Sequence, residues 1–302
     1  MSRNHDIQGV YTALVTPFTR DGAIDWNAFD KLLQVQVSAE VAGVVISGTT
    51  GESPTLTVDE KISLFRRARA VLPRSIQVMA GTGGNCTTQS IELSRLAQDA
   101  GVDSLLIVTP PYNKPSRSGL MAHYEAIAKA VKIPLCLYHV PGRTGQRLSA
   151  EDLAFLCQIP EITAVKEASG DLSLFSKALD LSDAQYLSGD DFTFLPSLSV
   201  GGKGVISVVT NIFPRAFVLL QKYQATQRAE DARRIHQALF AFTELLFVES
   251  SPSPTKAVLA HLGLIENSLR LPMVGVLPET SKKLQEAYQS TAQRLKELEA
   301  LS

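Results

Sequence analysis

The 302-residue sequence has few cysteines, almost no net charge and no long apolar run. Its three cysteines, Cys86, Cys136 and Cys157, are widely spaced and form no C-x-x-C pair. This pattern argues against a disulfide framework and against a zinc site, so we expect buried thiols. The histidines also lack metal-ligand spacing, and we therefore expect no metal. They are His5, His123, His139, His236 and His261.

Charge and hydropathy narrow the class of protein further. The formal net charge is −1 and the basic residues are scattered, which argues against a nucleic-acid-binding surface. No segment approaches the roughly 18 continuous apolar residues of a membrane span, and residues 1–7 lack the apolar core of a signal peptide. With 45% hydrophobic and 20% charged residues, the composition is typical of a globular protein. We expect a cytoplasmic location and no membrane partner.

Short β-branched runs alternate with segments of helical periodicity along most of the sequence. Near-continuous apolar runs such as residues 105–108 (LLIV) suit parallel strands that are buried on both faces. The alternation predicts an α/β fold, a closed (β/α)8 TIM barrel, with residues 1–214 as the catalytic barrel. The predicted strands are residues 10–16, 44–47, 76–81, 104–109, 135–140, 163–167, 186–188 and 205–209.

The sequence pattern of residues 215–302 predicts further helices after the eighth strand. One helix is expected over residues 230–248, and a terminal helix has apolar or small residues at helical spacing. No linker rich in proline, glycine or serine precedes this region. We expect a C-terminal helical region that packs on the barrel flank or at a subunit contact and takes no direct part in catalysis. The terminal helix carries Leu284, Tyr288, Thr291, Leu295 and Leu298.

Lys166 is the most informative single residue, because it stands near the C-terminal end of the predicted strand at residues 163–167. In barrels of this kind the active site lies at that end of the strands and in the loops that follow them. In an apolar pocket desolvation favours the free amine, which can attack a carbonyl group to form a Schiff base. A structural ion pair, or a lysine whose charged end reaches solvent, are alternatives that Lys166 alone leaves open.

Further polar residues follow other predicted strands and so reach the same end of the barrel. The turn at residues 48–52 (GTTGE) can direct backbone N–H groups and two hydroxyls at a carboxylate. Tyr112 lies in a proline-rich loop, Tyr138 stands near the end of the fifth predicted strand, and Arg143 follows that strand. Tyrosine can relay protons, and arginine suits bidentate binding of a carboxylate. Ordinary loop packing would explain any one of these residues taken singly.

Five segments together follow the order and spacing of the pyruvate-dependent class I aldolases. The sequence resembles the dihydrodipicolinate synthase family within that superfamily, over essentially its whole length. The resemblance implies a lyase that condenses pyruvate with L-aspartate 4-semialdehyde in diaminopimelate and lysine biosynthesis. It also implies a Schiff base on Lys166 and no metal or organic cofactor. The five segments are residues 48–52, the loop of Tyr112, residues 138–145, residues 165–167 and residues 187–191 (LSGDD).

The resemblance further implies a role for each residue near the pyruvate. Lys166 matches the lysine that forms the imine, and Thr49 and Thr50 match the turn that holds the pyruvate carboxylate. Tyr138 matches the tyrosine that moves protons near the imine, and Thr49 and Tyr112 match the other members of the proton relay. In that family Tyr112 is supplied by a neighbouring subunit, so a homotetramer built as a dimer of dimers is implied.

Arg143 bears on the second substrate. It matches the arginine that receives the carboxylate of the semialdehyde, whereas sialic acid lyases and keto-deoxy sugar acid lyases of the superfamily usually lack it. Gly189 and Ile206 match residues that line the pyruvate pocket. The alternatives are one of those other pyruvate-dependent aldolases, or a non-catalytic paralogue that binds pyruvate. The presence of Lys166, Tyr138 and Tyr112 argues against the second alternative.

The positions that bind inhibitory lysine in feedback-regulated members are only partly retained. Gln89 is neutral where a glutamate would pair with the ammonium of the inhibitor, and Pro111 replaces an aromatic residue. We therefore expect weak or absent inhibition by lysine. His139, where asparagine is common, and residues 251–254 (SPSP) are smaller departures that should leave the chemistry intact. The positions in question are Ser53, Pro54, Val58, Lys61, Asn85, Gln89 and Pro111.

Overall fold

Eight parallel strands close into a barrel in the computed structural model, which describes residues 6–300. The strands pair in chain order, and the eighth pairs with the first, with Gly9 opposite Gly204. The predicted TIM barrel is therefore confirmed, with strand bounds close to the expected ones. The strands are β1 (Gly9–Ala13), β2 (Gly43–Ile46), β3 (Gln77–Gly81), β4 (Ser104–Val108), β5 (Leu135–His139), β6 (Ile162–Glu167), β7 (Gln185–Ser188) and β8 (Gly204–Ser207).

Helices follow every strand of the barrel. Short 3₁₀ turns lie at Ser53–Thr55, Asp191–Thr193 and Val209–Asn211. In chain order the helices of residues 6–300 are α1 (Trp26–Ser38), α2 (Val58–Val71), α3 (Thr87–Asp99), α4 (Arg117–Ala128), α5 (Pro141–Thr144), α6 (Ala150–Leu156), α7 (Leu172–Leu181), α8 (Phe194–Ser199), α9 (Pro214–Ala225), α10 (Ala229–Leu245), α11 (Ser253–His261) and α12 (Pro278–Glu297).

Local side-chain chemistry fixes where several of these helices begin. The first turn of a helix leaves backbone N–H groups without partners inside the helix, and a short polar side chain can accept from them. Asp25, Ser116 and Asp171 do so at the starts of α1, α4 and α7. Thr57 and Ser149 form full capping boxes at α2 and α6. Residues close in the sequence therefore set where these helices begin.

Alternation along the strands divides the apolar side chains into two cores. Leu105 and Ile107 of β4 point outward, into the layer between the strands and the helices. Leu106 points inward, where it joins Cys136, Ala164 and other residues in a smaller cluster that fills the barrel. Side chains two residues apart share a face of a strand. Positions two residues beyond Cys136 and Ala164 therefore face the inside of the barrel at its C-terminal end.

The C-terminal region packs on the flank of the barrel. Helix α9 packs against β1 and thus occupies the place of the eighth barrel helix, and α10 and α12 pack on one another outside it. Phe213 stacks on Tyr288 of α12 with ring centroids 5.4 Å apart. The expected helix over residues 230–248 ends earlier, at Leu245. The division of the chain into residues 1–214 and 215–302 stays a prediction.

The structure also bears on the expectations drawn from scarce residue types. Cys136 is buried as expected, but Cys86 and Cys157 are only partly buried, and all three are free thiols. Over residues 6–300, no group of three or more His, Cys, Asp or Glu side chains is arranged to hold a metal ion. None of the helices in this part of the chain is both long and apolar enough to cross a membrane.

Candidate active site

Lys166 projects into the C-terminal end of the barrel from β6. It follows Ala164 of the barrel interior by two residues and is only 6% exposed. Its neighbour across the sheet is Tyr138 on β5, and the Lys166 Nζ lies 4.2 Å from the centroid of the Tyr138 ring. Water has little access to an amine in this position, and its nitrogen faces the aromatic ring. The structure thus brings together the two residues that the sequence placed at neighbouring strand ends.

Gly189, directly after β7, leaves room for the side chain of Lys166. A Cβ atom at this position would lie 2.9 Å from both Cγ and Cε of Lys166 and 2.7 Å from the Cβ of Ala168. Atoms of this kind do not approach so closely, so any larger residue would displace the lysine. Ile206 of β8 is buried in the same interior cluster as Tyr138. Gly189 therefore lies against Lys166, and Ile206 lies in the barrel interior.

The turn at residues 48–52 is held by its own backbone. The N–H of Gly51 donates to the carbonyl of Gly48, and the N–H of Glu52 donates to that of Thr49, both at 3.1 Å. Thr16 Oγ1 donates to the Gly51 carbonyl at 2.7 Å and so ties the turn to the segment after β1. Thr50 is buried, and Thr49 is partly exposed. Hydrogen bonds therefore hold the backbone that carries the hydroxyls of Thr49 and Thr50.

A cavity of about 590 Å³ opens at this end of the barrel. Thr49, Tyr138 and Arg143 contribute to its walls, so three of the predicted site residues meet there. Most of the positions considered for lysine inhibition line the same cavity, and burial lowers the pKa of one of them, Lys61. These positions are Ser53, Pro54, Lys61, Asn85, Gln89 and Pro111. Whether lysine inhibits stays a prediction, but a ligand there would lie close to the turn.

Arg143 lies between this cavity and a second one of about 600 Å³. It sits on α5, a single turn that begins after Val140, whose carbonyl accepts from the N–H of Arg143 at 3.0 Å. The second cavity is also lined by residues 247–251 and 272–274, together with Ser253, all from the C-terminal region. The sequence indicated only packing for this region. The SPSP segment at residues 251–254, noted above only as a departure from the family pattern, runs from this loop into α11.

Tyr112 does not reach Lys166 within the same chain. Its side chain is 90% exposed, and its backbone adopts the left-handed region with φ of 70°. The preceding residue, Pro111, lines the cavity, whereas Tyr112 turns away into solvent. A role for Tyr112 at an active site therefore requires a second copy of the chain.

A buried pair of polar residues lies directly behind Lys166 and Tyr138, and sequence reasoning did not identify it. The N–H of Leu148 donates to His139 Nε2 at 3.1 Å, so the ring carries its proton on Nδ1. That Nδ1–H donates to Glu167 Oε1 at 3.0 Å, and the N–H of Ser169 donates to the same oxygen at 2.9 Å. The pair joins the ends of β5 and β6, the strands that carry Tyr138 and Lys166.

A second buried ion pair that sequence reasoning missed lies at the last residue of the turn, Glu52. Glu52 forms an ion pair with Lys256 of α11, and the N–H of Arg270 donates to Glu52 Oε2 at 3.1 Å. The guanidinium of Arg270 binds Glu60 and lowers the pKa of this carboxyl to about 2. No local pattern links residues so far apart in the sequence, because only the folded chain brings them together.

The geometry places this protein among the (β/α)8-barrel enzymes with an enclosed lysine at the C-terminal end of the strands. The profile of the Dihydrodipicolinate synthetase family matches residues 6–291. The chain therefore belongs to this family, and the predicted resemblance and lyase class are confirmed.

Individual relatives agree along nearly their whole length. The 4-hydroxy-tetrahydrodipicolinate synthase of Magnetococcus marinus is 43% identical over 282 residues, which cover 93% of this chain and 96% of the relative. The enzyme of the same name from Leptospira biflexa serovar Patoc is 44% identical over 283 residues, covering 92% and 96%. The solved structure of the synthase from Methylacidiphilum fumariolicum SolV matches with a TM-score of 0.95 and 38% identity, covering 98% of this chain and 99% of that one.

Proposed function

We propose that this protein condenses pyruvate with L-aspartate 4-semialdehyde, as a 4-hydroxy-tetrahydrodipicolinate synthase of diaminopimelate and lysine biosynthesis. The relatives to which it is similar are named 4-hydroxy-tetrahydrodipicolinate synthase. The observation that carries the proposal is the enclosed amine of Lys166 over the ring of Tyr138, a residue that also lines the cavity of about 590 Å³. A buried amine of this kind suits covalent catalysis on a carbonyl compound.

The first half of the proposed reaction takes place on Lys166. Its Nζ attacks the carbonyl carbon of pyruvate, and loss of water leaves an iminium ion. The positive nitrogen withdraws electrons, so the methyl group of pyruvate loses a proton and an enamine forms. Tyr138 and Thr49 relay the protons, together with a Tyr112 that another subunit supplies. Thr50 and the backbone of its turn hold the pyruvate carboxylate.

The second half joins the two substrates. The enamine carbon attacks the aldehyde carbon of the semialdehyde, whose carboxylate is bound by Arg143. The amino group of the semialdehyde then attacks the imine carbon, the ring closes, and Lys166 is released as the free amine. The iminium ion supplies the electron sink for this chemistry, so the proposed reaction uses no metal or organic cofactor. The position of Arg143 between two cavities supports this role.

We also propose that the active form is a homotetramer, a dimer of dimers, in the cytoplasm. The support is Tyr112, which is 90% exposed in one chain although the proposed relay requires its hydroxyl. A neighbouring copy in the dimer would bring it to the site.

The test is turnover of the purified protein with pyruvate and L-aspartate 4-semialdehyde, coupled to the reductase of the next step. Borohydride trapping with mass spectrometry reports the imine separately. We expect Lys166→Ala to abolish both signals, because it removes the nucleophile. Lys177→Ala, an exposed lysine on α7, is the matched control and should retain both. Turnover by Lys166→Ala, or a wild-type protein that traps no pyruvate, would contradict the proposal.

A further inference from the structure

Glu52 closes the GTTGE turn in an unusual way. Its backbone adopts the left-handed region, with φ of 55°, and its side chain is almost completely buried. A carboxylate in such a position is costly unless cations or hydrogen-bond donors face it. Lys256 Nζ pairs with one carboxylate oxygen, and the N–H of Arg270 donates to the other at 3.1 Å.

Lys256 is itself fully buried on α11, with 0% exposure. Its Nζ also donates to the carbonyl of Ser268 at 2.9 Å and lies 4.2 Å from the centroid of the Phe18 ring. Arg270 stands over the same ring at 4.4 Å. Burial and the nearby Arg270 cation lower the pKa of Lys256, and Glu52 is the anionic partner that favours its ammonium form. A lysine held in this way is suited to fixing the position of the carboxylate it faces.

The position of the Glu52 carboxylate is coupled to that of the hydroxyls in the turn. The N–H of Glu52 donates to the carbonyl of Thr49, and Thr50 lies between these two residues in the chain. The other anchor of the turn is Thr16 Oγ1 on the carbonyl of Gly51. Without its cation, the buried carboxylate would move toward water, and Thr49 and Thr50 would move with it.

We propose that Lys256 is a positioning residue: it holds Glu52 so that Thr49 and Thr50 keep the geometry that binds the carboxylate of pyruvate. This inference rests on the proposed function, because it assigns the turn to pyruvate. It gives the C-terminal region a part in substrate binding through α11. Lys256 does not touch the substrate, so its loss weakens pyruvate binding and leaves the nucleophile Lys166 in place.

The experiment measures imine formation as a function of pyruvate concentration, by borohydride trapping and mass spectrometry without the semialdehyde. We expect Lys256→Met to raise the half-saturating pyruvate concentration about tenfold, while the trapped fraction at saturation stays near that of the wild type. The double variant Glu52→Gln, Lys256→Met should recover most of the binding, because it leaves no unpaired charge. Arg20→Met is the matched control and should change nothing. It breaks the ion pair between Arg20 and Glu266, which also joins the barrel region to the C-terminal region. The side chains of Arg20 and Glu266 are 87% and 49% exposed.

The outcomes separate this inference from the proposed function. Wild-type half-saturation in Lys256→Met overturns the inference, even where the melting temperature falls, because a merely structural role would lower only stability. Glu52→Asp covers the case in which Lys256→Met does not fold, since it keeps both charges and withdraws the carboxylate by one methylene. We expect Glu52→Asp to raise the half-saturating pyruvate concentration several-fold. An unchanged concentration in this variant would also overturn the inference. A wild-type protein that traps no pyruvate would overturn the proposed function and this inference with it.

Discussion

Gly189 gives the most direct prediction at the scale of single residues. A Cβ at this position would lie 2.9 Å from two carbon atoms of the Lys166 side chain, so Gly189→Ala must displace the amine. We expect trapping of pyruvate on Lys166 to fall by about tenfold or more, since a misplaced nucleophile loses its orientation toward the carbonyl. Gly142→Ala on α5 is the control, because its Cβ meets nothing within 4 Å. Unchanged trapping in Gly189→Ala would show that Lys166 adapts.

The buried carboxyl of Asp191 should make the free energy of unfolding depend on pH. Burial raises the pKa of its carboxyl from 3.8 to about 6, although the N–H of Val208 donates to it. The folded state therefore favours the protonated form, and this contribution to stability is lost as the pH rises from about 4 through about 6. We expect Asp191→Asn to stabilise the protein at pH 8 by on the order of 2 kcal/mol relative to wild type, but not at pH 4.

Urea unfolding at both pH values checks this expectation. Asp180→Asn, an exposed position on α7, is the matched control and should change stability little at either pH. An equal effect of Asp191→Asn at pH 4 and pH 8 would contradict the account, because it would mean that this carboxyl does not titrate between them.

The site residues that the sequence predicted lie on recognisable strands, whereas those that it missed depend on partners brought together only by folding. Lys166 and Tyr138 could be placed because each stands near the end of a recognisable strand, and the barrel fixes where strands end. Lys256 could not, because its partner Glu52 is remote in the chain and becomes its partner only after folding. His139 was noted only as an unusual residue, since its bond to Glu167 depends on the register of β5 and β6.

At the scale of elements, the closure of the barrel depends on the pairing of β8 with β1. Gly9 lies opposite Gly204 there, and a Cβ at Gly204 would lie 2.0 Å from the carbonyl oxygen of Gly9. We expect Gly204→Ala to separate the two strands and to lower the free energy of unfolding by about 3 kcal/mol or more. Thermal unfolding followed by circular dichroism checks this. Gly142→Ala again serves as the control, and a wild-type melting temperature in Gly204→Ala would contradict the argument.

The strands and longer helices were accessible to sequence reasoning because their signals are local. Runs such as residues 105–108 mark a strand that is buried on both faces, and Thr57 marks the start of α2. Helix α5 was not predicted. It is a single turn of four residues, held at Val140 and ended by Gly145 in the left-handed region, and so it has too few residues to show helical periodicity.

At the scale of the whole molecule, the C-terminal region does more than cover the barrel. Its residues 247–251 and 272–274 form a cavity with Arg143, and its Lys256 reaches the turn that carries Thr49. Amphipathic periodicity indicates which helix face is buried but not what that face encloses. This is why the sequence predicted the packing of these helices but not their closeness to the site.

Tyr112 supplies the last prediction, which concerns the assembly. If its hydroxyl serves the site of a neighbouring chain, then Tyr112→Phe and Lys166→Ala damage different sites and can complement one another. In a mixed dimer, the Tyr112→Phe subunit keeps Lys166 and receives an intact Tyr112 from its Lys166→Ala partner. Random pairing of equal amounts then gives complete sites in about a quarter of the subunits, because half carry Lys166 and half of those have such a partner.

We therefore expect two nearly inactive variants to regain about a quarter of wild-type turnover after they are unfolded and refolded together. Each variant refolded alone is the control, and sedimentation should show the same oligomer in all samples. A mixture no more active than the average of its two components would place Tyr112 outside the relay or in its own chain's site. Tyr112 would then be an ordinary exposed side chain, and the proposed dimer would lose its main structural support.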